Sequence, residues 1–213
     1  MTDTPRTRIP IVGIAGGIAS GKSFVAAQLQ ERGAAVVSAD RAAHDVLELE
    51  GVKRAVHDRF GEGVFNAAGQ VDRAKLGKIV FAPPPDGPQQ LEYLEQITHP
   101  RIGEILLGQL NQLAEQGTAP LIVLDVPLLF EAGWNKCCDK VLFVDVPRDQ
   151  RAARAAERGW SADDFDRRER AQRSTEQKRQ QSDLVVDNSG TPESTREQID
   201  RLWPSLVAAA DLK

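Results

Sequence analysis

Short apolar runs alternate with amphipathic helical patterns along the chain, and this alternation is its main structural signal. Within each run, Val, Ile and Leu occupy neighbouring positions rather than every second one, as expected for strands that are covered on both faces. The runs span residues 9–14, 35–38, 121–125, 141–145 and 184–187. Because the segments between them are helical, the pattern predicts an α/β fold: a five-stranded parallel sheet flanked by helices and joined by right-handed crossovers.

A long insertion follows the second run. Residues 41–118 are too many for one crossover helix and contain several amphipathic patterns, so we expect an inserted helical domain. Inside it, residues 81–90 are rich in proline and predict a stiff loop. The pair His99 and Pro100 interrupts a run of leucines and isoleucines at helical spacing, which predicts a break in the helix there.

A second insertion, residues 148–179, differs in its charge. It holds ten basic and seven acidic residues within a chain whose formal net charge is −4. Four arginines recur at helical spacing in its first part: Arg148, Arg151, Arg154 and Arg158. A solvated helix face would give this stripe, and so would an arginine-rich lid over an anionic substrate.

Composition excludes some classes of function. The 213 residues are 41% hydrophobic, which is enough for one substantial core, and the net charge of −4 argues against general nucleic-acid binding. Residues 1–10 lack the apolar run of a signal peptide, and residues 121–130 are too few to span a bilayer. Cys137 and Cys138 are adjacent, a spacing that suits neither a disulfide framework nor a metal site. We therefore expect a cytoplasmic protein without membrane or nucleic-acid partners.

The clearest chemical signal is a phosphate-binding loop. Gly16, Gly21, Lys22 and Ser23 fit the pattern G-x-x-x-x-G-K-[ST], after a predicted strand and before an apolar helix. Backbone N–H groups of such a loop point at phosphate oxygens, and the helix adds its positive end. Lys22 is expected to reach the β- and γ-phosphates of ATP and Ser23 to coordinate Mg²⁺. The predicted ATP contacts are Gly16, Gly17, Ala19, Ser20, Gly21, Lys22, Ser23 and Phe24.

Two carboxylates follow predicted strands at the edge where this type of fold places its chemistry. Asp40 and Asp125 could each cap a helix, hold Mg²⁺ through water, or accept a proton from an attacking hydroxyl. A GTPase is disfavoured, because Cys138 stands where the guanine-reading motif N-K-x-D needs its aspartate. The order of the segments fits a small-molecule kinase, with an acceptor domain after the second strand and an arginine-rich lid after the fourth.

The chain resembles the dephospho-CoA kinases in motifs that extend to about residue 190. The matching stretches include GIAGGIASGKS, GAAVVSADRAAHDVL, LEQITHPRI, DVPLLFEAG and VVDNSG, in the family's order. The resemblance implies Mg²⁺-dependent transfer of the ATP γ-phosphate to the ribose 3′-hydroxyl of dephospho-CoA, the final step of coenzyme A biosynthesis. It also implies one P-loop NTPase-type kinase domain, residues 1–213. Its parts are a nucleotide-binding core (8–40, 119–147 and 180–213), a helical acceptor domain (41–118) and a helical lid (148–179).

The resemblance implies roles for single residues as well. Asp40 corresponds to the carboxylate at the acceptor hydroxyl, acting as general base or organiser of Mg²⁺. Arg154 corresponds to the lid arginine that reaches the transferred phosphoryl group, and Lys22 completes the predicted catalytic set. Asn188, in the DNSG stretch, corresponds to a nucleotide-binding position.

The acceptor is expected to contact Asp40 and residues of the helical insertion. These are His99, Arg101, Asp72 and Arg73. Structural interpretations stay open beside this one: His99 as a core-bonded helix break, Asp72 and Arg73 as helix caps. Glu131, in the PLLFE stretch, is interpreted as stabilising its loop rather than touching substrate.

Two positions depart from the family's pattern. Ala19 stands where glycine is usual, so we expect a turn that keeps its φ below zero and free of strain. Glu169 stands where an aliphatic residue is usual, and we expect it to loosen the packing of the lid. Another nucleoside or nucleotide kinase and a non-catalytic ATP sensor remain the alternatives, and the sequence leaves the oligomeric state open.

Overall fold

A parallel sheet of five strands, in the order β2-β3-β1-β4-β5, confirms the predicted fold class in the computed structural model, which describes residues 8–208. The predicted strands match the observed ones to within two residues at each end. The strands are β1 (Ile11–Gly16), β2 (Ala35–Ser38), β3 (Ile122–Asp125), β4 (Lys140–Asp145) and β5 (Leu184–Asp187). The predicted domain limits at residues 1–7 and 209–213, and most of the segment inspected for a signal peptide, lie outside the described residues.

The described residues form two compact units. One comprises residues 8–38 and 110–208 and contains the whole sheet; the other is the helical unit Ala39–Gln109. Asp40, two residues after the end of β2, belongs to the helical unit. Among residues 8–208, no helix has both the length and the apolar character that a membrane crossing requires.

The register of the sheet places the carboxyl ends of β1, β4 and β5 side by side. Gly16, the last residue of β1, pairs with Val144 of β4, and Asp145 of β4 pairs with Asp187 of β5. Parallel strands end at the same sheet edge, so the segments after β1, β4 and β5 all begin there. Helices α1 (Lys22–Glu31) and α9 (Pro192–Val207) pack on the sheet through fully buried residues such as Val25, Leu29, Ile199 and Leu206.

The helical unit has its own hydrophobic core. It contains α2 (Ala39–Asp45), α3 (Glu50–Phe60), α4 (Arg73–Val80) and most of α5 (Asp86–Gln116). Its buried residues are mainly valine and leucine: Val46, Leu47, Val52, Val56, Val64, Val71, Leu76 and Val80. Leu94, Ile97, Ile102 and Ile105 of α5 pack against them.

The predicted helix break at His99 and Pro100 is wrong. Helix α5 runs for 31 residues with Pro100 inside it. An interior proline usually costs about 3 kcal/mol because a hydrogen bond is lost and the ring crowds the preceding turn. Here the apolar residues on both sides of Pro100 pack against one core, and that burial offsets the cost. The proline-rich loop is also shorter than predicted, because Asp86 already begins the helix.

The arginine-rich insertion folds into three short helices. They are α6 (Arg148–Glu157), α7 (Ala162–Arg170) and α8 (Thr175–Gln180). Ser161 caps α7, and Ser174 forms a capping box with Gln177 at the start of α8. These caps fix where each helix starts in a segment with few apolar residues.

Candidate active site

The phosphate-binding loop connects β1 to α1, and its glycines sit where side chains have no room. A Cβ atom on Gly16 would lie 2.6 Å from Ser20 Oγ, and one on Gly21 would lie 2.3 Å from Asn188 Nδ2. Gly21 also has φ +89°, the left-handed conformation that glycine adopts without strain. The loop is therefore packed closely against other parts of the unit.

Ala19 contradicts the expectation of an unstrained turn. Its φ is +58°, in the left-handed region that costs an L-residue about 1 kcal/mol. The residue is 9% exposed and packs with Ala155 of α6 and Phe165 of α7. Burial of the alanine methyl group helps to hold the strained turn.

Lys22 begins α1 and turns its side chain onto the loop. Its Nζ donates hydrogen bonds to Gly17 O at 3.1 Å and to Gly16 O at 3.4 Å. Burial lowers the pKa of Lys22 to about 8; the carboxylate of Asp125 opposes this shift, whereas the cations of Lys178 and Arg151 add to it. A phosphate group bound at the loop would stabilise the charged amine.

Ser20 and Ser23 offer hydroxyl groups at the loop. Ser20 is fully buried and its Oγ has no hydrogen-bond partner, which is unusual for a polar atom without solvent. Ser23, the second residue of α1, is exposed. Residues 8–208 contain no cluster of three or more His, Cys, Asp or Glu side chains suited to a metal ion. The donor set still fits Mg²⁺, which commonly takes one or two protein ligands beside water and substrate phosphates.

Asn188, directly after β5, supports the loop from inside the protein. Its Nδ2 donates to Ser20 O at 2.8 Å, and its Oδ1 accepts from Thr195 Oγ1 at 3.0 Å. Only 7% of the residue is exposed. Its predicted contact with the nucleotide stays a prediction, and its observed contacts hold the phosphate loop in place.

Arg154 of α6 lies beside the same loop. Its Nη2 donates to Asn188 O at 2.8 Å, and its Nη1 would lie 3.8 Å from a Cβ atom on Gly21. The fold thus brings Lys22 and Arg154, both predicted to be catalytic, to the phosphate loop. A phosphoryl group bound there would meet positive charge from two elements of the unit.

Arg151 is the site residue that sequence reasoning did not single out. The residue is 3% exposed, so the arginine stripe is not a uniformly solvated face. Its Nη2 donates to Glu169 Oε1 at 2.7 Å. Glu169 also accepts from Arg148 Nε at 2.8 Å, so it ties α7 to α6 through two arginines. The expectation that Glu169 loosens the lid finds no support in these contacts.

A second ion pair, between a buried lysine and a half-buried glutamate, fixes α8. Lys178, 2% exposed, donates from Nζ to Gln172 Oε1 and forms an ion pair of 2.9 Å with Glu131 Oε1. The Arg173 amide donates to the same oxygen. Burial acts to raise the pKa of Glu131, but the hydrogen bonds from Lys178 and Arg173 outweigh it, so the pKa lies below its usual value. These contacts favour the structural interpretation of Glu131.

The candidate acceptor residues belong to the helical unit and are mostly exposed. Asp40 stands in the first turn of α2 and is exposed. Asp72 caps α4, accepting from the amides of Ala74 and Lys75, which bears out the structural interpretation left open beside its predicted acceptor contact. Arg73 is exposed at the start of that helix.

His99 and Arg101 lie on the long helix α5. Both are exposed, so the interpretation of His99 as a core-bonded helix break is wrong. Arg101 donates to Glu104 one turn further along, with a shortest distance of 2.8 Å. A cavity of about 760 Å³ within the helical unit is lined in part by Arg101, Glu104 and Pro100.

The chain is similar to known proteins over most of its length. The family model described as dephospho-CoA kinase matches residues 10–193. A dephospho-CoA kinase of Carboxydothermus hydrogenoformans is 44% identical over 193 residues, covering 90% of this chain and 91% of the relative. One from Symbiobacterium thermophilum is 40% identical, covering 91% of this chain and 80% of the relative.

Solved structures share the fold. A Thermus thermophilus protein superposes with a TM-score of 0.72 at 34% identity, covering 93% of this chain and 98% of that protein. The dephospho-CoA kinase of Campylobacter jejuni gives a TM-score of 0.69 at 23% identity, covering 92% and 96%, and supports the fold alone.

Proposed function

The chain belongs to the dephospho-CoA kinase family, and on that basis we propose that it transfers the γ-phosphoryl group of ATP to the ribose 3′-hydroxyl of dephospho-CoA, forming coenzyme A and ADP. The observation that carries the proposal is the meeting of Lys22 and Arg154 at one phosphate loop. A phosphoryl transfer needs positive charge around the moving group, and this arrangement supplies it from α1 and α6.

In the proposed reaction the acceptor oxygen attacks the γ-phosphorus. A bond forms between the 3′-oxygen and the phosphorus, and the bond from phosphorus to the bridging oxygen of ADP breaks. The proton of the 3′-hydroxyl passes to the carboxylate of Asp40. Lys22 and the loop amides hold the β- and γ-phosphates, and Arg154 neutralises charge on the transferred group.

Mg²⁺ would be held by Ser23 and substrate phosphates. When bound, it neutralises negative charge on the β- and γ-phosphates. The exposure of Ser23 at the start of α1 leaves its hydroxyl accessible for this contact. Asn188 holds the phosphate loop through its hydrogen bond to Ser20 O. Its proposed contact with the nucleotide rests on the family's pattern.

Dephospho-CoA is proposed to contact Asp40, Asp72, Arg73, His99 and Arg101. Arginine and histidine suit the phosphates of this acceptor, and these side chains are exposed except for the half-buried Asp72. The proposed partners are thus two small molecules, ATP and dephospho-CoA. We also propose a cytoplasmic location, where Cys137 and Cys138 would remain the free thiols that the structure shows.

The test is direct formation of the product. Purified protein is mixed with ATP, Mg²⁺ and dephospho-CoA, and coenzyme A is followed by mass spectrometry, with Lys22→Ala as the inactive control. A panel of nucleosides and nucleoside monophosphates is run in parallel. Turnover with one of those and none with dephospho-CoA would identify a different kinase, and ATP binding without transfer to any acceptor would indicate a sensor.

A further inference from the structure

Arg151 contacts the phosphate loop without facing solvent. Its Nη1 donates to Ile18 O at 3.4 Å, a long hydrogen bond, and its Nε donates to Val146 O at 3.2 Å. A Cβ atom on Gly17 would lie 2.7 Å from Nη1, so the guanidinium lies directly against the loop backbone. Being 3% exposed, it is covered by protein on nearly all sides.

The next residue of the loop is held by an apolar contact from the same lid helices. The Ala19 methyl group packs with Ala155 of α6 and Phe165 of α7, and the Arg151 guanidinium lies 5.7 Å from the centre of the Phe165 ring. A non-glycine residue in the left-handed region persists only where its surroundings determine it. The loop between Gly17 and Ala19 is therefore held by one polar and one apolar contact.

A buried guanidinium needs a carboxylate nearby, and Glu169 supplies it. This carboxylate has a second partner, Arg148, whose side chain is 58% exposed. The two arginines share an acceptor and a helix, but only Arg151 reaches the phosphate loop. Arg148 also lies over the Phe165 ring, 5.3 Å from its centre, so its removal tests the carboxylate and ring contacts without removing the contact of Arg151 with the loop.

We propose that Arg151, oriented by Glu169, is a positioning residue that fixes the backbone of the phosphate loop at Gly17, Ile18 and Ala19 from the lid helices. Arg151 is not a catalytic residue, because its fork is occupied by Val146, Ile18 and Glu169. Its effect on turnover is indirect: the loop amides it aligns are those that hold the ATP phosphates. The expected effect on turnover rests on the proposed function, whereas the effect of Arg151 on the loop backbone does not.

The left-handed Ala19 provides a readout that needs no substrate. The ¹³Cα and ¹³Cβ chemical shifts of an alanine depend on its backbone angles, so they report whether Ala19 keeps φ near +58°. In Arg151→Leu we expect these two signals to move towards values typical of negative φ or to broaden. In Arg148→Leu, which leaves the contacts of Arg151 with the loop intact, we expect no change.

A double variant separates positioning from simple stability. Arg151→Leu with Glu169→Leu replaces the buried pair by apolar side chains, a change that is often neutral or stabilising. We expect its thermal midpoint to return towards that of the parent while the Ala19 signals remain displaced. If those signals return together with the midpoint, apolar packing alone sets the loop and the proposal is wrong. Unchanged Ala19 signals in Arg151→Leu would also overturn it.

Two further measurements keep the test decisive. Should Arg151→Leu fail to fold, Arg151→Lys keeps the charge but loses the planar fork, and a parent-like Ala19 signal in it would contradict the proposal. In steady state, Arg151→Leu is expected to lower kcat/KM for ATP by about 10²-fold, the effect of a small misplacement, and Arg148→Leu by less than about twofold. If the parent makes no coenzyme A, the proposed function fails while the Ala19 test stands.

Discussion

The sheet-containing unit and the helical unit hold their candidate residues in different ways. In the first, Lys22 and Arg154 are bonded to main-chain oxygens of the phosphate loop and its surroundings. In the second, His99 and Arg101 are exposed on one helix, and Arg101 is paired only with a surface glutamate. The proposed phosphate-binding side is therefore held by protein contacts before ATP arrives, whereas the proposed acceptor residues lie on an exposed helix face, where binding would cost side-chain ordering.

The largest expected effect tests the proposed phosphate-binding residues of the sheet-containing unit. Replacing Arg154 by alanine removes a cation beside the loop, and we expect kcat to fall by about 10³ to 10⁵, as for loss of an arginine that stabilises the transferred phosphoryl group. Lys22→Ala should behave similarly. Turnover is measured as coenzyme A formation at saturating ATP and acceptor.

Arg158 is the control for that loss. It follows the last residue of α6 and is exposed, so Arg158→Ala should retain kcat within about twofold. If Arg154→Ala stays within tenfold of the parent, the guanidinium beside Gly21 has no part in transfer. The prebuilt arrangement would then serve binding alone.

The next effect concerns stability. Lys178→Met leaves the half-buried Glu131 carboxylate without its cation, and the loss of this charged hydrogen-bonding partner should cost about 1.5–3 kcal/mol. The neighbouring Arg179 is exposed and pairs with Asp145, so Arg179→Met should cost no more than about 1 kcal/mol. Urea unfolding of both variants gives the two free energies.

The pH dependence of that difference has a definite sign. Because the pKa of Glu131 is lowered by folding, its stabilising contribution is present above the ordinary value of 4.5 and is lost as the pH falls through the folded value. The gap between Lys178→Met and the parent should therefore narrow on acidification. A gap that stays constant from neutral pH to well below the ordinary pKa of 4.5 would mean that the pair does not carry the stability.

A smaller effect tests the exposed candidate acceptor residues of the helical unit. Arg101→Ala removes an exposed guanidinium, so the thermal midpoint should stay the same while KM for dephospho-CoA rises about tenfold, the loss of one charge-assisted hydrogen bond. Glu104→Ala removes the surface partner and leaves Arg101 in place. An unchanged KM in Arg101→Ala, or an equal rise in Glu104→Ala, would remove Arg101 from the acceptor site.

Local sequence rules were sufficient where the chemistry is local. The five strands were found because apolar runs are contiguous, and Lys22 was found because the loop motif is a short fixed pattern. The capping aspartate Asp72 was also recognised, since its partners are the amides of the next turn. The helix break predicted at Pro100 was wrong because it relied on a local rule. Packing of the apolar residues on both sides of the proline overrides that rule.

The remaining site residues depend on distant partners. Arg151 acquires its role from Ile18, 133 positions away in the chain, and no spacing rule connects them. Glu131 and Lys178 belong to a loop after β3 and to α8, so their pairing appears only after folding. Glu169 was the nearest signal, but its carboxylate was interpreted as loosening the lid, whereas in the structure it pairs with Arg151 and Arg148.

The smallest effect is expected at Ala19. Glycine adopts φ +58° freely, so Ala19→Gly relieves about 1 kcal/mol of strain. Against this, the variant loses a buried methyl group, about 0.8 kcal/mol, and its unfolded chain gains about 0.4–1 kcal/mol of conformational freedom. These contributions nearly cancel, so the free energy of unfolding should stay within about 1 kcal/mol of the parent.

Ala155→Gly is the matched variant for Ala19→Gly, because it removes a methyl group from the same cluster at a helical position that has no strain to relieve. It should cost about 1–2 kcal/mol, the sum of lost burial and lower helix propensity. Urea unfolding compares the two glycine variants directly. If they lose equal stability, Ala19 carries no strain, and the contacts from α6 and α7 need not hold the loop against it. If Ala19→Gly is the more stable, the turn is strained, and α6 and α7 keep the phosphate loop in a conformation that alanine alone would avoid.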